Sequence, residues 1–135
     1  MTNRDIVSGT FPPGSCDCHV HIYGPLNRFP PDDTFSGIGS RFAPTREYPI
    51  ELLLQTWKDI GISRGVIAHL GDQESDNAVT LDALRRYPDK LRGIATIKRD
   101  ISDRQLDELN EAGFKGVAWS ISSQANRAPA GNVTG

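Results

Sequence analysis

Three short segments, Arg64-Gly65-Val66, Arg92-Gly93-Ile94 and Lys115-Gly116-Val117, share a pattern that narrows the fold more than any other feature. Each sets a basic residue and a glycine before a β-branched residue, and each opens an apolar stretch: Val66-Ile67-Ala68, Ile94-Ala95-Thr96-Ile97 and Val117-Ala118-Trp119-Ser120-Ile121. Short apolar runs without polar alternation fit strands covered on both faces, as in parallel sheets. Helical periodicity lies between them. A first helix opens at Pro49, lines one face with Ile50, Leu53, Leu54, Trp57 and Ile60, and meets Gly61 as its C-terminal cap. A second starts after Asp76 or Asn77, turns Ala78, Leu81 and Leu84 inward, and stops before Pro88. A third carries a capping box from Ser102 to Gln105, then Leu106, Leu109 and Ala112, with Gly113 as its stop. An earlier strand spans Ser15 to Ile22, so strands and helices alternate strictly after one long connection. Such alternation implies an α/β fold with a parallel sheet and helical crossovers.

With 135 residues the chain fits one domain, and its net charge of −2 supplies no field for nucleic acid or an acidic membrane. No apolar run approaches the roughly 20 residues of a membrane span. Met1 to Gly14 is polar and lacks a hydrophobic signal segment, so a cytoplasmic location is expected. The organisation reads as an N-terminal arm (1–13), an α/β unit (14–121) and a tail (122–135). The tail is polar and small, with no helix to follow the fourth strand, and is expected to be disordered or non-native. The connection from Tyr23 to Tyr48 is rich in Pro, Gly, Asp and aromatic residues, which favours a lid or binding loop.

The chemistry concentrates in Asp17-Cys18-His19-Val20-His21 at the end of the first strand. Simple alternation puts Asp17, His19 and His21 on one face, and Cys16, Cys18, Val20 and Ile22 on the other, against the helices. Two neutral imidazoles so placed can chelate one divalent ion, zinc or manganese, while the Asp17 carboxylate orients a ligand from behind. A tetrahedral zinc site from Cys16, Cys18, His19 and His21 is the rival, and alternation opposes it. Extended backbone would hold the two cysteine Cα atoms about 6.5–7 Å apart, so reduced thiols are expected rather than a disulfide. His69, at the end of the second strand, is either a pocket residue or an exposed loop residue.

Asp-x-His-x-His ending the first strand of a β/α chain resembles the amidohydrolase superfamily. More narrowly, Cys16 to Pro25, Arg28-Phe29-Pro30, Gly61 to Ile67, Asp76-Asn77, Leu91 to Ala95 and Ala112 to Val117 resemble the branch containing the 2-pyrone-4,6-dicarboxylate lactonases. The resemblance covers about residues 14 to 118. It implies the N-terminal half of a TIM-type (β/α)8 barrel, about three β/α units plus a fourth strand. A complete barrel takes roughly 250 residues. An open, doubly wound parallel sheet is the alternative. The resemblance also implies a hydrolase that opens a lactone, ester or amide in a small-molecule substrate by activated water, with His19 and His21 as metal ligands. The base and the remaining ligands belong to later strands, so the catalytic residues proper are not identified here. Tyr23, Phe42 and His69 are the substrate-pocket candidates. Departures from the branch are His69-Leu70-Gly71, where Gln-Pro-Ser is usual, Ala118-Trp119-Ser120, where an arginine would meet a substrate carboxylate, and Phe42, where a tyrosine is usual. The chain alone is expected to be a truncated form with little activity and to self-associate through its open sheet edge. The alternative is a non-enzymatic remnant or a small-ligand or metal-binding module.

Overall fold

The computed structural model describes residues 10–29, 47–69, 77–97 and 100–118. Within them, strands β1 (Cys16–Val20), β2 (Arg64–Ala68), β3 (Leu91–Thr96) and β4 (Phe114–Ala118) alternate with helices α1 (Ile50–Ile60), α2 (Ala78–Arg86) and α3 (Asp103–Glu111). All three strand pairings are parallel, and the spatial order is the chain order, β1-β2-β3-β4. Among the described residues β1 lies at an edge and not between later strands, which is the order of consecutive barrel strands and not of a doubly wound sheet. Phe42, residues 30–46 of the long connection and residues 122–135 lie outside the described residues.

The repeated glycines have a packing reason. A Cβ on Gly65 would lie 2.3 Å from the Trp57 ring and 2.7 Å from Asp17 O, and one on Gly93 would lie 2.6 Å from the Phe114 ring. Each glycine lets an aromatic side chain press onto the strand, which is why a ring and not a gap sits there. Trp57, Ile67, Leu84 and Leu91 are buried almost completely, and they join Ile22, Phe29, Leu53 and Phe114 in one core between the sheet and its helices.

Helix α1 follows Pro49, which is extended (φ −69°, ψ 164°) and acts as the N-cap, not as the first helical residue. Gly61 ends it in the left-handed region at φ 85°, its N–H returning to Trp57 O. Phe11 N–H also caps this end, donating to Ile60 O at 2.8 Å, so the described part of the arm lies across the C-terminus of α1. On α2 the inward face is Val79, Thr80, Ala83 and Leu84, with Ala78 and Leu81 only half-buried. The face is rotated from the expected one because Thr80 is taken inward by a hydrogen bond to His69. On α3 both halves of the Ser102–Gln105 capping box form, yet no residue of the helix is buried, and Leu106 remains 37% exposed. Strand β4 starts at Phe114, earlier than the apolar run suggests, since Gly93 aligns with Phe114 before the register shifts. Among the described residues, β4 pairs with β3 alone and leaves Val117 53% exposed. No helix among them is long and apolar enough to cross a membrane.

Candidate metal and active site

Strand β1 does not alternate simply. Cys16 and Asp17 pair with Arg64 and Gly65, but Val20 pairs with Ile67, so three steps on β1 match two on β2. The extra residue makes a β-bulge, which shifts the side-chain parity along the strand. Asp17 therefore shares the face of its partner Gly65, where Trp57 packs. Trp57 Nε1–H donates to Asp17 Oδ2 at 3.2 Å, and the His19 N–H reaches Asp17 Oδ1 at 3.3 Å. The carboxylate thus ties α1 to the bulge. It lies on the helix face and not beneath the imidazoles, because alternation holds only where the register is unbroken.

Beyond the bulge, Val20 and Ile22 return to the helix face and pack into the core. His19 and His21 stand together on the opposite face, away from the helices. Their ring centroids are 4.9 Å apart, edge to face at 89°. His21 Nδ1 lies 2.8 Å from Ala68 O. A carbonyl can only accept, so Nδ1 carries the proton and the neutral ring keeps its lone pair on Nε2. This is the tautomer a metal ligand needs, with the other ring nitrogen anchored to backbone. The donor chemistry of the pair fits a divalent ion, for which it would supply two of the three protein ligands typical of a catalytic zinc. Among the described residues no group of three or more His, Cys, Asp or Glu side chains could hold a metal ion, and the four-residue cysteine–histidine site is not formed.

Cys16 and Cys18 are free thiols and exposed, where simple alternation set them against the helices. The bulge again explains the difference, since the helix-facing positions are Asp17, Val20 and Ile22. Cys18 Sγ leans to 3.7 Å from Cys16 O. Partial burial, then the hydrogen bond and charge of Cys18, push the Cys16 thiol above its ordinary value.

His69 is buried, not an exposed loop residue. It is 5% accessible, and its Nδ1 lies 3.1 Å from Thr80 Oγ1 beneath α2. Two residues beyond Ile67, it shares the helix face of β2. Tyr23 is half-buried, and its backbone forms an antiparallel bridge with Tyr48 (N···O 2.9 and 2.8 Å). With Leu26 N–H on Glu47 Oε1 at 2.7 Å, this bridge closes the neck of the long connection next to the histidine pair.

One group escaped sequence reading. Asn77 has a left-handed backbone (φ 61°) and is 4% exposed. Instead of capping α2, its side chain grips the end of β3: Thr96 N–H donates to Oδ1 at 2.8 Å and Nδ2–H donates to Thr96 O at 2.9 Å. The available signal was the residue type, because asparagine tolerates the left-handed region better than other non-glycine residues.

A parallel β/α array carrying paired imidazoles at the C-terminal end of its first strand has the architecture of β/α-barrel enzymes, whose chemistry sits at that end. The chain belongs to the amidohydrolase family, whose profile matches residues 16–132. It is 35% identical over 115 residues to a 2-pyrone-4,6-dicarboxylate hydrolase of Comamonas testosteroni, covering 82% of this chain and 34% of that one. It is 33% identical over 113 residues to a 4-sulfomuconolactone hydrolase of Hydrogenophaga intermedia, covering 84% and 35% respectively. The fold matches that of a probable 2-pyrone-4,6-dicarboxylic acid hydrolase from Acinetobacter baumannii solved with citric acid bound. The TM-score is 0.65 at 20% identity, over 82% of this chain and 42% of that one. The chain thus spans about a third of the length of these curated relatives.

Proposed function

We propose that this chain carries the first-strand portion of a hydrolase site that opens a lactone, ester or amide in a small-molecule substrate by activated water. The observation that carries this reading is the histidine pair, with His21 held by Ala68 O in the tautomer that leaves Nε2 free. His19 and His21 would hold a divalent ion, zinc or manganese, which when bound polarises a carbonyl and lowers the pKa of water. The chain's own part is to orient the imidazoles: the bulge turns both away from the helices, and the Ala68 carbonyl sets the proton on His21 Nδ1. Lactones are the favoured substrate class, because the relatives named above are hydrolases of a pyrone diacid and a sulfonated muconolactone. Tyr23, Phe42 and His69 remain the pocket candidates, His69 with its ring bonded to Thr80. The base is not among the described residues brought to the pair. The cytoplasm is the proposed location.

The test is metal titration of the 135-residue protein, reading the ring nitrogens by NMR. Zinc should perturb the His19 and His21 ring nitrogens and leave those of His69 unchanged. Equal binding in a His19→Ala, His21→Ala double variant would sink the reading. A second reading, a metal- or small-ligand-binding module without catalysis, is favoured by the lack of a third metal ligand among the described residues. It predicts the same titration with no hydrolysis.

A further inference from the structure

The peptide unit between Ala68 and His69 joins the histidine pair to a buried polar network. Its carbonyl accepts from His21 Nδ1–H at 2.8 Å on the β1 side, and its N–H donates to Ile94 O at 3.0 Å on the β3 side. The next carbonyl, His69 O, accepts from Thr96 Oγ1–H at 3.0 Å. Thr96 in turn has both its backbone N–H and its carbonyl gripped by the Asn77 side chain. On the helix side the His69 ring is locked against Thr80 Oγ1, and Thr80 is fully buried. These side-chain bonds are additional to the ladder that a parallel pair needs, and they hold His69, the residue that follows the carbonyl accepting from His21. Asn77 adopts a left-handed backbone to reach its place, a conformation that a non-glycine residue holds only when its surroundings fix it.

We propose that Thr96 and Asn77 are positioning residues for His21, acting through the Ala68–His69 peptide. Neither touches the imidazole. Thr96 holds the His69 carbonyl at the end of β2, and Asn77 holds Thr96 to the start of α2. With the peptide plane fixed, Ala68 O stays aimed at His21 Nδ1, the proton stays there, and Nε2 keeps its lone pair. That the lone pair serves a metal rests on the function proposed above; that the network sets the tautomer does not.

The experiment separates the two. In metal-free protein at pH 8, histidine ring 15N shifts report which nitrogen of His21 is protonated. Wild type should show protonated Nδ1. Thr96→Val keeps shape and removes only the hydroxyl; it should turn His21 into a mixture of tautomers and weaken zinc binding about tenfold, the loss typical when a group behind a ligand is removed. Thr96→Ser restores the hydroxyl and should restore both readouts. Ser102→Ala, which destabilises α3 far from this network, should lower stability and leave the His21 shifts unchanged. A Thr96→Val protein with wild-type His21 shifts overturns the proposal, as does a Ser102→Ala protein with the same tautomer mixture. If Thr96→Val scrambles the tautomer while wild type binds no zinc, the positioning role stands and the metal reading falls.

Discussion

Replacing Gly65 with alanine would drive a Cβ into the Trp57 ring at 2.3 Å and against the Asp17 carbonyl at 2.7 Å. Trp57 is 2% exposed and bonded to Asp17, so neither neighbour can give way cheaply. Overpacking of this kind costs about 2–3 kcal/mol; denaturant unfolding of Gly65→Ala should show that loss. The histidine pair was legible at this scale because His19 and His21 are two residues apart on either side of Val20, where pairing with Ile67 resumes. Asp17 and the cysteines were misplaced for the complementary reason. A bulge is a property of the pairing between β1 and β2, and nothing in Asp17-Cys18-His19 announces it. The burial of His69 was not legible because it depends on Thr80, a helix residue whose hydroxyl disguises an inward position.

Helix boundaries were the most readable elements, since caps are local chemistry: Gly61 and the Ser102–Gln105 box act where the sequence puts them. Helix faces were less readable, because α2 turns toward whatever packs on it. Ser102→Ala should cost about 1 kcal/mol, the usual worth of an N-cap side chain, seen as faster amide exchange in the first turn of α3. Between elements, Arg86 binds both Glu51 on α1 and Asp82 on its own helix, tying α1 to α2. The hydrogen bond from Arg86 holds the Glu51 carboxyl below its ordinary value of 4.5. A carboxylate whose pKa is lower when folded contributes stability that is complete above its unfolded pKa and lost as pH falls through the folded one. Both side chains are about half-exposed, so solvent screening limits the pair to roughly 0.5 kcal/mol. Glu51→Gln should therefore lower stability slightly at pH 7 and flatten its decline below about pH 4.5; an unchanged acid limb would show that the pair contributes nothing.

At the scale of the whole molecule, the order β1-β2-β3-β4 and the share of each relative covered place these strands as consecutive staves of a barrel. That much followed from strict β/α alternation. Among the described residues α3 buries nothing, and β4 presents Val117 at 53% exposure beside a single neighbour strand. An exposed apolar edge recruits another chain. The purified 135-residue protein is expected to self-associate, and Val117→Lys should shift sedimentation toward monomer. Its hydrolase activity is expected to be low for a separate reason. A catalytic divalent ion takes three protein ligands and leaves room for water beside a base, and the described residues bring together two imidazoles. His69, the third of the chain's three histidines, is buried beneath α2 and bonded to Thr80, so it faces away from the pair. Proton transfer alone contributes about 10²–10⁴-fold to rate, and a missing ligand compounds its loss. The monomeric Val117→Lys protein, loaded with zinc or manganese and assayed on simple lactones, should turn over no faster than free metal. Turnover well above that background, abolished by His19→Ala with His21→Ala, would mean that this chain holds a base and a third ligand of its own.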